Sequence, residues 1–223
     1  TVELLKILME KDINQGIIKK SIVEFPGESI SSIFKKTIET LENTIGVFYI
    51  YNKSKKLIYV DYSKDIKNKV IKLFTSKKFI PKYVQNNFKS IKVHKTGNVE
   101  IAILKAIQEI KSLRPKINNN IDPKLFLKID IPKIIIDKKN FIITFSGKKD
   151  DEKGFILFKD KKVIGYGYFD LFNNINTEKK LNSRVVKVNE CKKVKNYLYR
   201  LISEKRYKKL LTLNEIYKFS GIE

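Results

Sequence analysis

The sequence predicts an α+β fold built from two parts, each with an antiparallel sheet. Two short aromatic and β-branched runs, GVFYIYN (46–52) and LIYVD (57–61), flank the polar turn KSKK. Such a pair around a tight turn is typical of a β-hairpin. Apolar residues at helical spacing follow in 99–113, and a new series of β-rich runs begins after residue 130. The chain therefore changes from strand to helix and back to strand, which is the pattern of an α+β protein.

The first part continues from the hairpin in the order β-β-α-α-β-α. We predict that Ser63 caps a helix running to about Phe74, with apolar residues inside and lysines outside. A second helix is expected around 80–87, a strand at 90–95 and a closing helix at 99–113. This order supplies three strands for a small sheet with flanking helices.

The second part is predicted to be a larger antiparallel sheet with a helix on it. Its predicted strands cover 133–137, 140–146, 154–160, 162–170 and about 208–213, and its helix covers 189–204.

Before the hairpin, helical periodicity is expected at 2–10 and again at 33–43, with a serine-rich linker between them. We therefore divide the chain into an amino-terminal helix and linker (1–43), a first domain (44–120) and a second domain (121–223).

The composition excludes several classes of site and of protein. A single cysteine, Cys191, and a single histidine, His94, exclude a disulfide framework and a Cys- or His-rich metal site within one chain. The apolar runs, such as FIITF (141–145), are far shorter than the about 18–20 residues of a membrane span. We predict a cytoplasmic protein with no membrane partner.

The net charge is +23, and it is carried by the last two parts of the chain. Residues 1–45 have 6 basic and 7 acidic side chains, residues 46–120 have 17 and 4, and residues 121–223 have 24 and 13. Binding of a polyanion, DNA above all, is the electrostatic inference.

A second explanation of the charge stays open. Only four of the 47 basic residues are arginine, and the chain is also rich in Ile and Asn, whose codons share the adenine and thymine bias of Lys codons. Drift in base composition would raise the charge without a partner, and Lys lacks the planar fork with which Arg reads bases.

The hairpin and closing helix resemble the GIY-YIG endonuclease family, including UvrC-like nuclease domains. The matching residues are Gly46-Val47-Phe48, Tyr59-Val60-Asp61, SKDIKNKV (63–70), Thr96-Gly97-Asn98 and RPKIN (114–118), which cover about 75 residues in family order. The resemblance implies a small three-stranded antiparallel sheet flanked by helices and a nuclease that uses Mg²⁺ or Mn²⁺.

The flanking segments resemble a narrower group. TVELLKILMEKD (1–12) is similar to the last helix of a proofreading exonuclease, and residues 140–170 are similar to the end of chains that fuse such an exonuclease, of the DNA polymerase III epsilon type, to a GIY-YIG domain. The resemblance implies a copy of that protein without its exonuclease. It also implies roles in DNA repair or replication, with replication or repair proteins as further partners.

The family's chemistry uses a glutamate to hold the metal, tyrosines to activate water and an arginine to steady the developing charge. By resemblance the two tyrosine positions are Phe48 and Tyr59, and the second triplet's glycine is Asp61. The arginine position is Lys69, and the glutamate position is Ala106. Tyr59 and Lys69 are thus the catalytic candidates.

Ala106 decides this interpretation, because a methyl group offers no ligand to a hard divalent cation. The alternative is that the carboxylate of Glu109 or Asp61 replaces the missing metal ligand. Glu109 lies one turn further along the helix, displaced by about 5 Å. Tyr49 and Tyr51 are expected to alternate away from Phe48. We predict no metal site and leave enzymatic activity open.

Three hypotheses follow. The first is a degenerate nuclease-like protein that binds DNA without metal-dependent cleavage, the second an active structure-specific endonuclease, and the third a protein-interaction module that docks through Tyr166, Tyr168 and Phe169. The predicted phosphate contacts are Lys64, Lys67, Lys69, Arg114, Lys116 and Asn118.

Overall fold

A computed structural model of the chain describes residues 32–76, 79–117 and 123–218. The predicted helix at 2–10, almost all of the linker, the predicted contact residue Asn118 and the predicted boundary near residue 120 lie outside these ranges. Within them the chain forms two antiparallel sheets, of three and five strands, with helices packed around both.

The elements of the first part are α1 (Ser32–Thr40), β1 (Gly46–Asn52), β2 (Leu57–Ser63), α2 (Ile66–Thr75), α3 (Phe79–Asn87), β3 (Phe88–Lys95) and α4 (Val99–Leu113). The strand order is β2-β1-β3, and both pairings are antiparallel. The hairpin, the third strand and all four helices are therefore confirmed, with bounds that differ by a few residues.

Alternation along β1 gives the first sheet two buried faces. Val47 and Tyr49 belong to one core, whereas Phe48 and Ile50 belong to another. The second of these cores is closed by the aromatic residues of the surrounding helices, where Phe34 stacks on Phe74 with ring centroids 3.9 Å apart. A central strand buried on both sides explains the almost unbroken apolar run of GVFYIY.

The cap of α2 differs from the prediction. Asp65, not Ser63, caps the helix, because its side chain accepts a hydrogen bond from the Asn68 backbone N–H at 3.0 Å. Ser63 is still the last residue of β2, and its hydroxyl accepts from the Asp65 N–H and donates to the Asp65 carbonyl. Ser63 therefore stabilises the turn between β2 and α2, and Asp65 is the N-cap of α2.

The elements of the second part are a 3₁₀ turn (Pro123–Phe126), α5 (Lys133–Asp137), β4 (Phe141–Ser146), β5 (Lys153–Lys159), β6 (Lys162–Phe169), α6 (Glu178–Arg184), β7 (Val186–Lys187), α7 (Lys192–Ser203), β8 (Lys209–Thr212) and α8 (Leu213–Lys218). The strand order is β7-β6-β5-β4-β8. Helix α6 and the short elements β7 and α8 were missed by the sequence analysis.

The segment KIIID is a short helix, so its prediction as a strand is wrong. Pro132 precedes the helix, and its carbonyl accepts the Ile135 N–H at 2.9 Å. The three isoleucines favour a strand by propensity. The segment does not pair with β4, however, because β5 and β8 occupy the two edges of that strand. Only Ile135 of the three is fully buried, as one turn of helix allows.

Helix α4 lies in a core to which both sheets contribute. Ile103, Ala106 and Ile107 of α4 share one apolar cluster with Val47 and Val60 of the first sheet. The same cluster contains the inner face of the second sheet and of α7, namely Phe141, Ile143, Phe145, Ile156, Phe158, Tyr166, Val194, Tyr197, Leu198, Leu201 and Ile202. The two parts are thus joined by buried apolar contact.

Hydrogen bonds at the start of α4 fix the same junction. Asn98 caps α4 through Oδ1, which accepts the Ile101 N–H at 2.8 Å, and its Nδ2 donates to the Ser146 carbonyl at 2.8 Å. The Tyr168 hydroxyl donates to the Thr96 carbonyl at 3.0 Å. Gly97, at φ +73°, lies against Gly147, and a side chain there would overlap the Gly147 carbonyl.

The predicted fold class is therefore confirmed as α+β, with a three-stranded antiparallel sheet among helices and a second antiparallel sheet. The division at 43 and 120 stays a prediction. Among the described helices, no segment combines the length and the hydropathy that crossing a lipid bilayer requires.

Candidate functional site

Tyr59, Asp61 and Lys69 form a connected polar chain beside Phe48. Tyr59 and Asp61 are two residues apart on β2 and therefore share a face. The Tyr59 hydroxyl donates to Asp61 Oδ2 at 2.8 Å, and Lys69 Nζ, on α2, lies 3.1 Å from the same oxygen. Asp61 Oδ1 accepts the Tyr62 N–H at 2.8 Å. Both carboxylate oxygens therefore already have partners.

The Tyr59 phenol is held in its protonated form. Burial, followed by the negative charge of Asp61 and the hydrogen bond to it, raises the pKa of Tyr59 far above its usual value of 10.0. Phe48 is fully buried beside it, with ring centroids 6.1 Å apart. The Tyr59 hydroxyl thus donates a hydrogen bond to Asp61, and Phe48 supplies no second hydroxyl.

Ala106 is separated from this polar chain by the sheet. It is fully buried in the core that α4 forms with Val47 and Tyr49, whereas Phe48 and Tyr59 pack in the core on the other face. Of the matched family positions, four come together and the fifth does not. No oxygen ligand comes from position 106.

Glu109, the alternative ligand, lies on the same face of the sheet as Ala106 and already has a partner there. Its carboxylate lies 2.8 Å from Lys105 Nζ, one turn back on α4. Burial, and then the charge and hydrogen bond of Glu109, raise the pKa of Tyr49 well above normal. Tyr49 points to the face opposite Phe48, as predicted, so Glu109 does not converge on Tyr59.

The residues at these positions do not fit a divalent metal. Such an ion prefers several oxygen ligands in one shell. Asp61 places a carboxylate beside Tyr59, but the Lys69 ammonium group already lies at its Oδ2. Within residues 32–76, 79–117 and 123–218, no three His, Cys, Asp or Glu side chains are grouped as a metal site would need.

The predicted phosphate contacts lie just before α2, along α2 and in the segment that follows α4. Lys64, Lys69, Arg114 and Lys116 are exposed, and Lys67 is half-buried. The Ile117 N–H donates to the Ile58 carbonyl at 3.2 Å, which places this segment beside the strand that carries Tyr59. Lys116 Nζ lies 5.4 Å from the centre of the Tyr83 ring.

Docking through Tyr166, Tyr168 and Phe169 stays a prediction, but Tyr166 does not fit it, because it is 4% exposed and belongs to the shared core. The half-buried Tyr168 donates its hydroxyl proton to the Thr96 carbonyl, and the half-buried Phe169 lies with its ring centroid 6.0 Å from that of Phe155. The most exposed large apolar side chains of the described part are instead Leu171 and Phe172, at 85% and 91%.

Two ion pairs of this region were not predicted. The pair of Asp61 with Lys69 depends on the packing of α2 against β2, for which the sequence carries no direct signal. The pair of Lys105 with Glu109 has the i,i+4 spacing of a helical ion pair, which is a direct signal.

No family model matches the chain. The UvrABC system protein C of two strains of Borreliella burgdorferi is 27% identical over 178 residues, which is 76% of this chain and 26% of that protein. The protein of the same description from Borrelia garinii subsp. bavariensis is 27% identical over 179 residues, with the same shares. The chain spans about a quarter of the length of these relatives.

Solved structures of the GIY-YIG N-terminal endonuclease domain of UvrC from Thermotoga maritima are also similar to this chain. The magnesium-bound form has 20% identity and a TM-score of 0.37, and the match covers 40% of this chain and 98% of that one. A point mutant bound to its catalytic divalent cation has the same identity and TM-score and is covered to 99%. The chain is thus similar in sequence to UvrC proteins, as its motifs predict.

Proposed function

We propose that this chain is a UvrC-like, nuclease-related protein that binds DNA and does not cleave it with a divalent metal. The observation that carries the proposal is the burial of Ala106 in an apolar core, at the position where the family has a metal-binding glutamate. The carboxylate beside Tyr59, that of Asp61, already contacts Lys69 and Tyr59.

The proposed binding surface follows the basic side chains of α2 and the segment after α4. Lys64, Lys67, Lys69, Arg114 and Lys116 would contact phosphates, which positions DNA without reading its sequence. Exposed ammonium and guanidinium groups suit this role because they release counterions when they meet the phosphate backbone. Asn118 stays in the proposal as a polar contact at the end of the same segment.

Affinity for DNA is expected to fall steeply with salt. Five phosphate contacts imply a slope of about −4.5 in log K against log salt, or a loss of roughly 500-fold between 50 and 200 mM salt. Fluorescence anisotropy with a labelled branched or nicked duplex measures this slope. The triple variant Lys64→Gln, Lys67→Gln, Arg114→Gln should reduce the slope by about three.

A matched control separates this surface from general charge. Lys161→Gln, Lys162→Gln and Lys179→Gln remove the same charge from other exposed positions and should leave the slope nearly unchanged. Equal, weak binding at both salt concentrations would contradict the proposal. Equal losses in both triple variants would favour base-composition drift, with charge spread over the surface.

Cleavage is the second candidate function, through Tyr59 and relocated carboxylates. We expect that nicked, flapped or bubble DNA stays uncut in Mg²⁺ or Mn²⁺, both with the unchanged protein and with Tyr59→Phe. Cleavage that needs the metal and disappears in Tyr59→Phe would establish an endonuclease in place of the binding protein.

We further propose a relationship to chains that carry a polymerase III epsilon-like exonuclease, a cytoplasmic location and association with replication or repair proteins. Leu171 and Phe172 are the exposed apolar side chains at which such a protein could dock.

A further inference from the structure

A groove lies between the end of α4, the 3₁₀ turn and the start of α7, apart from the Tyr59 site. Its volume is about 560 Å³. Apolar and aromatic side chains form its floor, and basic side chains form its rim. The floor residues are Ile107, Ile110, Phe126 and Cys191, and the rim residues are Lys111, Arg114, Lys192 and Lys193.

The walls of the groove are fixed by hydrogen bonds between elements distant in sequence. Gln108 Nε2 donates to the Asn189 carbonyl at 2.9 Å, and the Asn189 N–H donates back to Gln108 Oε1 at 3.1 Å. Asn196 Nδ2, on α7, donates to the Phe126 carbonyl at 2.8 Å. The groove is therefore formed before any ligand arrives, which lowers the entropy cost of binding.

The charge of the groove has one sign. All four rim residues are exposed, and none of its described lining residues is acidic. In the described part of the chain, none of the four forms an ion pair, although acidic partners occupy Lys105 and Lys195 nearby. Lys193 Nζ lies 5.5 Å from the centre of the Phe126 ring, so a cation and an aromatic face are adjacent.

We propose that this groove holds one unpaired nucleotide of a DNA strand. A base has an apolar face that stacks on an aromatic ring and polar edges that stay near the mouth, and its two flanking phosphates need cations on either side. The apolar floor with a four-cation rim supplies both. A paired duplex stacks its bases against each other and cannot present one to Phe126.

The groove shares Arg114 with the proposed DNA surface. Arg114 lies on its rim and begins the segment that reaches Ile117, whose N–H donates to the Ile58 carbonyl of β2. The inference rests on the proposed DNA binding and adds the preferred DNA structure, namely one with an unpaired nucleotide.

The single cysteine of the chain provides a direct test, because Cys191 is half-buried in the floor. The rate of its reaction with a maleimide is measured on the whole chain, alone and saturated with a gapped duplex, with oligo(dT) or with a blunt duplex. We expect the gapped duplex and oligo(dT) to slow the reaction severalfold and the blunt duplex to leave it nearly unchanged.

Two variants give a second measurement by anisotropy. Phe126→Ala should weaken binding of oligo(dT) about 5- to 150-fold, the range for losing one stacked base, with little effect on blunt duplex. The pair Lys192→Glu and Lys193→Glu should weaken oligo(dT) binding more than the pair Lys162→Glu and Lys179→Glu, which reverses the same charge at exposed positions outside the groove. The glutamate variants change exposed side chains only, so folding is retained.

The outcomes separate the two proposals. Protection of Cys191 by unpaired DNA, with selective loss in both groove variants, supports the groove. Salt-dependent DNA binding with unprotected Cys191 and unaffected groove variants overturns the groove and leaves the proposed function standing. Absence of binding to every DNA overturns both.

Discussion

Ala106→Glu is expected to destabilise the protein by about 3–5 kcal/mol and to create no metal site. The substitution restores the glutamate of the family, but its carboxylate would lie in a fully buried apolar core. An uncompensated buried charge costs several kcal/mol. Urea unfolding, followed by circular dichroism, measures the free energy of unfolding, and calorimetry with Mn²⁺ measures metal binding.

Ser112→Glu is the control, because it adds the same side chain to an exposed position of the same helix. It should change the free energy of unfolding by no more than about 0.5 kcal/mol. A stable Ala106→Glu variant that binds Mn²⁺ would show that position 106 can reach the Tyr59 site, and it would remove the main support for loss of cleavage.

Gly97→Ala is expected to be the second severe substitution, with a loss of about 2–5 kcal/mol. The left-handed backbone at φ +73° costs a residue with a β-carbon about 1–2 kcal/mol. That β-carbon would also overlap the Gly147 backbone, and forced overpacking costs a further 1–3 kcal/mol or so. Thermal and urea unfolding measure the loss.

Lys55→Gly isolates the backbone cause. Lys55 also has a positive φ, of 58°, but lies exposed in the turn of the first hairpin. Removal of its β-carbon should relieve the left-handed strain and raise the free energy of unfolding by about 1 kcal/mol. If Gly97→Ala cost no more than this amount, the contact between the 96–98 turn and Gly147 would not be important for joining the two sheets.

The fold could be predicted from the sequence where local pattern and packing agree. The first hairpin and α4 combine a clear period with turn or cap residues, so their positions follow from the sequence alone. The segment 133–137 could not be assigned correctly, because its isoleucines favour a strand, whereas the folded chain forms a short helix after Pro132 and pairs β4 with β8. Helix α6 has a single fully buried residue, Leu181, and so lacks a strong apolar period.

The site was predictable in its residue types but not in its geometry. Spacing along β2 places Tyr59 and Asp61 on one face, and the missing carboxylate at 106 is visible in the sequence. The complete burial of Ala106 was not predictable, since its core includes residues far along the chain, such as Tyr166 and Tyr197. The basic groove likewise depends on Phe126 and Lys193 meeting α4 in space.

The shared core around α4 has a consequence for solubility. If the chain were cut between the two sheets and the parts separated, Val47, Ile103 and Phe141 would all become exposed to solvent. A large exposed apolar face favours aggregation. Light scattering of a chain cut between the two sheets should therefore show association that the uncut chain does not.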